Sequence, residues 1–246
     1  MAGGGAPERP PRSPATLVLL GGVAALLFAA LVALGVWQVE RRAWKHALIA
    51  QIDARLHAAP VAPPGPVDWP RIGSRDAYRR IVLNGRYLAR SETFVKAVTE
   101  RGGGYWALSP LLTDRGFVVL VNRGFVAQAS APAPAGPVHV TGLLRVTEPG
   151  GGFLRANDPA GDRWFSRDVA AIARARRLQS VAPYFIDADA ASSQAGGPVG
   201  GLTVVAFTDN HLVYALTWFG LAALVAIGTG IVARDERRVR GAAAAR

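Results

Sequence analysis

Two long uncharged apolar runs lie near the two ends of the chain. The first extends from Thr16 to Val39 and the second from Leu212 to Ala233. Each exceeds the roughly 20 apolar residues that an α-helix needs to cross a bilayer, and one soluble core seldom places two such runs at opposite ends of a chain. The pattern therefore predicts two transmembrane helices, over residues 16–39 and 209–233. The length of the first run favours a retained anchor over a cleaved signal peptide.

Between the apolar runs the pattern changes to short β-like segments. From Tyr78 onward, β-branched and aromatic runs such as FVVLVNRGFVAQ and PVHVTGLLRV alternate with Gly, Pro and Asp boundaries. This predicts a β-rich α+β domain over residues 67–208, built on an antiparallel sheet or a partly closed barrel. The pair Asn84-Gly85 predicts either a hairpin turn or a bulge within one strand. One amphipathic helix is expected at about Asp168 to Leu178.

The flanking segments have different characters. Residues 1–15 are rich in Gly and Pro and predict a disordered tail. Residues 40–66 predict a helical extension followed by a proline-rich linker, and residues 234–246 form a basic tail. Trp37, Arg41 and Trp44 share one face of the extension, where the indoles suit the headgroup boundary. These three residues are candidates for structural or partner contacts.

The positive charge bears on orientation and on partners. The formal net charge is +11, and both short tails carry arginines, which favours termini in the cytoplasm and a periplasmic or extracellular middle domain. Arg41 and Arg42 oppose this orientation. Because no basic run has interleaved aromatics, nucleic acid is not expected as a partner, and an anionic lipid surface accounts for the charge. The N-terminal segment is unlike a transit peptide, which favours a bacterial plasma membrane.

Several chemistries lack the residues that they need. The chain has no cysteine, which excludes a thiol copper relay, a CxxC redox pair, covalent CxxCH haem attachment and a thiolate nucleophile. No GxSxG segment is present. Asp187 and Asp189 lie two residues apart at an expected strand end, with nothing nearby to complete a metal shell, and are expected to be solvated. We therefore expect no enzyme activity.

One histidine stands where the second apolar run begins. Asn210 is expected to cap a helix whose first turn contains His211, and the positive end of that helix disfavours a further positive charge. A neutral imidazole can bind a metal, and Trp218 lies within about 40° of its face, with Tyr214 at the flank. A strip of small residues, Gly21, Ala25, Ala29 and Ala33, is expected to allow close approach or to leave room for a flat ligand. The alternative is an ordinary polar and aromatic membrane interface.

Four segments, taken in order, carry a resemblance to a known family. They are LGVWQVERRAWKHALI, YRRIVLNGRY, GGGYWALSPLLTDRGFVVLVNRGFVAQ and PVGGLTVVAFTDNHLVYALTWFGLA, between Leu34 and Ala222. Together they resemble the surfeit-locus (Surf/Shy) family of cytochrome c oxidase assembly proteins. The segment from Pro132 to Ser180 is similar only loosely. Two helices flanking one external domain is also the architecture that the resemblance implies.

The resemblance implies a non-enzymatic membrane factor that binds haem a and assists its insertion into subunit I of cytochrome c oxidase, with haem a synthase as a further candidate partner. The family's histidine falls on His211, the implied ligand of the haem iron, with Trp218 and Tyr214 in support. Gly124 matches a family glycine and is expected at a turn or bulge. Arg123 is expected at an exposed strand end, with a haem propionate as the alternative contact. The alternative function is a scaffold that stabilises an oxidase intermediate without haem.

Overall fold

A computed structural model of the protein describes residues 10–152, 154–193, 196–203 and 209–244. The chain divides into two compact units. The helical unit comprises Met1–Ile49 and Phe207–Arg246, and the barrel unit comprises Ala50–Ala206. The α-helices are α1 (Pro14–His57), α2 (Val169–Ala175) and α3 (His211–Ala244). The strands are β1 (Arg80–Tyr87), β2 (Thr93–Thr99), β3 (Gly102–Thr113), β4 (Val118–Val126), β5 (Pro137–Val146), β6 (Gly151–Gly152), β7 (Arg155–Ala156) and β8 (Val181–Ala188).

In the helical unit, α1 and α3 pack against each other along one buried face. On α1 this face includes Leu31, Gly35 and Gln38, and on α3 it includes Ala215 and Ala222. A Cβ at position 35 would lie 2.5 Å from the ring of Phe219, so glycine is what lets that ring pack there. The four residues of the expected small-residue strip are exposed instead, because the packing face of α1 is rotated away from them.

Two polar contacts mark the ends of this helix pair. Near one end the Glu236 carboxylate accepts the backbone N–H of Arg12 at 2.8 Å, and near the other the imidazole of His211 meets the side chain of Gln38 at 2.7 Å. The helices are therefore antiparallel. From His211 to Glu236 the helix rises about 38 Å at 1.5 Å per residue, which exceeds the roughly 30 Å hydrocarbon core of a bilayer. Both helices are long and apolar enough to cross a membrane.

The barrel unit closes five strands into a partly closed barrel. The strand order is β1-β5-β8-β4-β3, and an additional β1–β3 pairing joins the ends, while β2 extends β3 outside the ring. All of these pairs are antiparallel except β4–β8, which is parallel. The predicted fold class, two long apolar helices flanking a β-rich domain with a partly closed barrel, is confirmed.

Alternating side chains of the strands supply two cores. The inner cluster takes one or more residues from every barrel strand, among them Ile81, Leu111, Val121, Val140 and Ile186. The outer cluster takes the intervening positions and packs them under α2, among them Leu120, Phe185, Trp164 and Ile172. Because both faces of β4 and β8 are covered, their sequences read as continuous apolar runs. The expected amphipathic helix is α2, which is shorter than the predicted range and is capped by the Asp168 side chain.

Two segments expected to be a turn and a linker are packed structure. Gly85 lies inside β1, where a Cβ would come within 2.1 Å of the Leu112 carbonyl oxygen, so Asn84-Gly85 is a point of close strand approach and not a hairpin turn. The proline-rich segment is also docked: the Pro64 carbonyl accepts hydrogen bonds from the Tyr184 hydroxyl at 2.7 Å and the Trp69 indole at 3.1 Å. The β-branched run LTVVAF, Leu202–Phe207, also predicts a strand, and both this run and the N-terminal tail extend into residues outside those described.

Candidate functional site

The His211 side chain lies on the inner face at the start of α3. Its Nδ1 is 2.7 Å from Oε1 of Gln38, which is itself buried on α1. Because an amide oxygen only accepts, the contact with Oε1 assigns a proton to Nδ1, and Nε2 is the ring nitrogen on the other side. Among the described residues nothing hydrogen-bonds to Nε2. This arrangement, in which one ring nitrogen is oriented by a partner and the other is free, is typical of metal-binding histidines.

The residue before this turn, Asp209, organises the entry of the chain into α3. Its carboxylate accepts the backbone N–H of His211 at 3.0 Å and contacts His46 at 2.6 Å and Arg42 at 3.6 Å. Asn210 occupies the expected N-cap position, since its carbonyl oxygen accepts the Tyr214 N–H at 3.2 Å. Among the described residues, however, the side-chain oxygen that accepts a helical amide belongs to Asp209 and not to Asn210. The carboxylate also satisfies one of the helix-terminal donors with a negative charge at the positive helix end.

The two aromatic residues singled out beside His211 occupy different positions. Trp218 lies on the inner face with Ala215 and Ala222, and its indole Nε1 is buried with no acceptor among the described residues. A buried indole N–H normally finds a partner. Tyr214 is 54% exposed and lies away from the packed face. The structure thus groups Trp218 with His211 and leaves Tyr214 on the outer side of the helix.

The three candidates on the helical extension face outward. Trp37 and Trp44 are each 54% exposed, and the Arg41 guanidinium lies 4.1 Å from the centre of the Trp44 ring. A cation stacked on an indole at an exposed site contributes on the order of 0.5–1 kcal/mol. Among the described residues, none of the three makes a hydrogen bond to Gln38 or His211.

Arg123 lies in the barrel unit and is buried, so the expectation of an exposed strand-end arginine is wrong. Its Nη1 donates to the Ala131 carbonyl at 2.9 Å, and its guanidinium lies 5.5 Å from the centre of the Tyr87 ring. Burial lowers the pKa of Arg123, although the interactions with Tyr87 and Glu92 raise it. Burial also raises the pKa of Tyr87 to about 12, against the opposing charge of Arg123. Sequence reasoning missed the burial because β4 continues past Asn122 with its inner face still covered.

Gly124 is required by its backbone and by its neighbours. Its φ is +127°, and a Cβ there would lie 2.2 Å from the main-chain carbon and oxygen of Val199. The next residue, Phe125, exchanges two backbone hydrogen bonds with Val199. The expected bulge-type glycine is therefore found, at a close approach of two chain segments.

The carboxylate of Asp187 is buried in an ion network, so the expected solvated state is wrong. It accepts hydrogen bonds from Asn122 at 2.8 Å and Thr203 at 2.9 Å, and it pairs with Arg145 at 2.8 Å and Arg167 at 3.3 Å. Burial would lower the pKa of Arg167, but its hydrogen bonds to Glu148 and the charge of Asp187 outweigh this and raise the pKa. Asp189 is partly exposed and caps the 3-10 turn Ala190–Ser192.

Sequence reasoning missed Gln38, Arg42 and His46, which reach α3 or its entry from α1. Their spacing of four residues was a signal, since i, i+4 and i+8 share one side of a helix. The aromatic residues one position away gave a stronger pattern on the neighbouring side. Among the described residues, no group of three or more His, Cys, Asp or Glu side chains is arranged to hold a metal ion.

Comparison with known proteins gives consistent matches. Residues 25–223 match the SURF1 family. Human Surfeit locus protein 1 is 36% identical over 214 residues, which cover 77% of this chain and 69% of the human protein. Surfeit locus protein 1 of Takifugu rubripes is 33% identical over 77% of this chain and 87% of its own length. A SURF1-like protein of Drosophila melanogaster is 31% identical over 88% of this chain and 78% of its own length.

Proposed function

Because this chain belongs to the SURF1 family, we propose that it is a membrane-bound factor in cytochrome c oxidase assembly that binds haem a through His211. In this proposal it assists the insertion of haem a into subunit I and receives it from haem a synthase. The observation that carries the haem assignment is the contact between His211 Nδ1 and Gln38 Oε1, which leaves Nε2 as the free ring nitrogen.

The residues around His211 fit a porphyrin in three ways. The imidazole has one nitrogen oriented by Gln38 and the other available as an axial ligand. The indole of Trp218 lies on the same helix face with a buried N–H that lacks an acceptor among the described residues. No cysteine competes for the iron. When bound, the haem would supply an iron centre, and the imidazole of His211 would hold it.

The roles of the protein residues follow from these contacts. Gln38 holds the imidazole in one tautomer and one orientation, because the Gln38 side-chain oxygen accepts a hydrogen bond from Nδ1 and cannot donate one. Asp209 fixes the first turn of α3 by accepting the His211 backbone N–H, so the histidine is placed by the helix terminus and not by a loop. A site held in this way binds without ordering a flexible segment, which lowers the entropic cost of binding.

The proposed orientation places His211 at the outer surface of a bacterial plasma membrane, with both tails in the cytoplasm. The support is the cluster of tail cations around and beyond the Glu236 contact, including Arg234, Arg237, Arg238 and Arg240. Cations in short segments next to a span favour the cytoplasmic side. The barrel unit would then face the periplasm or the extracellular space, and the charged tails would meet anionic lipid headgroups.

The experiment compares haem spectra of matched histidine variants. The full-length protein is co-expressed with haem a synthesis, purified in detergent, and its Soret absorbance is recorded for wild type, His211→Ala and His57→Ala. We expect the band in wild type and in His57→Ala, because the exposed His57 ring contacts Asp53 on its own helix and takes no part in the contacts around His211. We expect its loss in His211→Ala.

The alternative function, a scaffold for an oxidase intermediate without haem, predicts a different outcome. A wild-type protein that carries no haem under these conditions, while still supporting oxidase assembly, would favour the scaffold. Retention of the full Soret band in His211→Ala would also contradict the proposed ligand. The activity of the assembled oxidase is measured in membranes of the same strains. It distinguishes a protein that has lost only its haem from a protein that is itself lost.

A further inference from the structure

A cavity of about 310 Å³ lies at one end of the barrel interior. Its lining includes Val140 and Ala188, which belong to the inner core, together with the side chains of Tyr87 and Arg123. Every second side chain of β4 points into the inner core, as Val119 and Val121 do, and Arg123 is the next residue in this series. The mouth of a barrel is a common place for a ligand, and the volume suits a small one.

The cation in this cavity lacks a carboxylate partner. Two partly buried arginines of the barrel unit are paired, since Arg145 and Arg167 both contact the carboxylate of Asp187. Among the described residues, Arg123 has only neutral acceptors, the Ala131 carbonyl at 2.9 Å and the Ser109 hydroxyl at 3.5 Å. The nearby Glu92 instead accepts the backbone N–H of Ala133 at 2.9 Å. Buried charges are normally paired, so this guanidinium is a candidate binding group.

A second donor faces the same space. The Tyr87 hydroxyl has no hydrogen-bond partner among the described residues, and the Tyr87 ring lies beneath the Arg123 guanidinium. Burial raises the pKa of the Tyr87 hydroxyl to about 12, although the charge of Arg123 lowers it. The hydroxyl is therefore protonated at neutral pH and can donate a hydrogen bond. Among the described residues, the guanidinium donates hydrogen bonds only through Nη1, and its Nε–Nη2 edge matches the two oxygens of a carboxylate or phosphate.

We propose that the cavity at the barrel mouth binds a small oxyanion, a carboxylate or phosphate group, through the guanidinium of Arg123 and the hydroxyl of Tyr87. The site lies wholly within the barrel unit and does not depend on haem binding at His211. The barrel would thereby have a ligand-binding role of its own, in addition to the helical unit.

The test measures anion binding by the full-length protein in detergent. Isothermal titrations use sodium phosphate and, separately, sodium acetate, at constant ionic strength set with sodium chloride. Wild type is expected to bind at least one anion saturably. Arg123→Gln should abolish the binding, and Tyr87→Phe should weaken it about tenfold, the loss of one hydrogen bond to a charged group.

The matched control is Arg86→Gln, which removes one positive charge from an exposed position on the same strand as Tyr87. It should bind as wild type does. Binding of phosphate alone or acetate alone identifies the anion and supports the site. The proposal is overturned if wild type shows no saturable binding of either anion, or if Arg123→Gln binds normally. If Arg123→Gln does not fold, wild-type affinity in Tyr87→Phe overturns it.

Discussion

Substitution of Gly124 by alanine should destabilise the barrel unit far more than a glycine substitution at an open turn. Position 124 has a φ of +127°, and a Cβ added there would lie 2.2 Å from the Val199 main chain. A methyl group cannot be placed there without moving one segment away from the other. The loss has two parts, backbone strain at residue 124 and broken contacts between Phe125 and Val199.

The magnitude follows from these two parts. A non-glycine residue in this region of φ costs about 1–3 kcal/mol. The two hydrogen bonds between Phe125 and Val199, at 2.9 and 3.0 Å, contribute about 1 kcal/mol each. The expected loss is therefore about 3–5 kcal/mol, a large share of the roughly 5–15 kcal/mol of a typical domain. For a unit of this size it corresponds to a fall in Tm on the order of 10 °C.

The control is Gly116→Ala, at a turn where φ is +82° and no atom lies within 4 Å of the added Cβ. That variant has the backbone strain but no steric clash with another segment, so its free energy of unfolding should fall by only about 1–2 kcal/mol. Urea denaturation of both variants, followed by circular dichroism at a β-sheet wavelength, gives the two free energies of unfolding. Equal losses in Gly124→Ala and Gly116→Ala would refute the close-approach argument.

Three further outcomes are expected. Asp187→Asn should lower the free energy of unfolding by about 1.5–3 kcal/mol in urea denaturation, because Arg145 and Arg167 lose their shared carboxylate and keep only Glu148; a loss below about 0.5 kcal/mol would show that the network is dispensable. Between about pH 10 and pH 12 the wild-type stability should fall as pH rises, since unfolded tyrosine ionises while Tyr87, with its raised pKa, stays protonated. Tyr87→Phe should show a shallower fall in urea titrations, and an unchanged slope would contradict its raised pKa. Gln38→Leu should weaken haem binding about 10–100-fold in Soret titrations, whereas unchanged affinity would mean that the His211 tautomer needs no partner.

The apolar helices and the β-rich domain were predictable because their signals are local. Long uncharged runs and alternating β-branched segments report the environment of consecutive residues. Barrel closure depends on a pairing between β1 and β3 that no local pattern encodes. The need for glycine at position 85 follows from its close contact with the Leu112 carbonyl, which the sequence does not show.

The errors concerned polar residues whose partners come from distant segments. Asp187 was expected in solvent, yet its partners lie between 16 and 65 residues away along the chain. Arg123 was expected at an exposed strand end, yet the fold buries it. The side chain that accepts the first amide of α3 belongs to Asp209 and not to the N-cap residue Asn210, and Asp209 also meets His46 from α1. In each case the sequence shows a charge, and only the fold shows whether that charge is paired.

Chemical rescue at position 211 tests the central claim most directly. His211→Gly removes the imidazole, and free imidazole is then added to the detergent-purified variant in the presence of haem a. After free haem is removed by gel filtration, the account predicts no haem a in the protein fraction without imidazole and recovery of a wild-type Soret band in that fraction as imidazole is titrated. A variant that carries the wild-type spectrum before any imidazole is added would contradict His211 as the iron ligand.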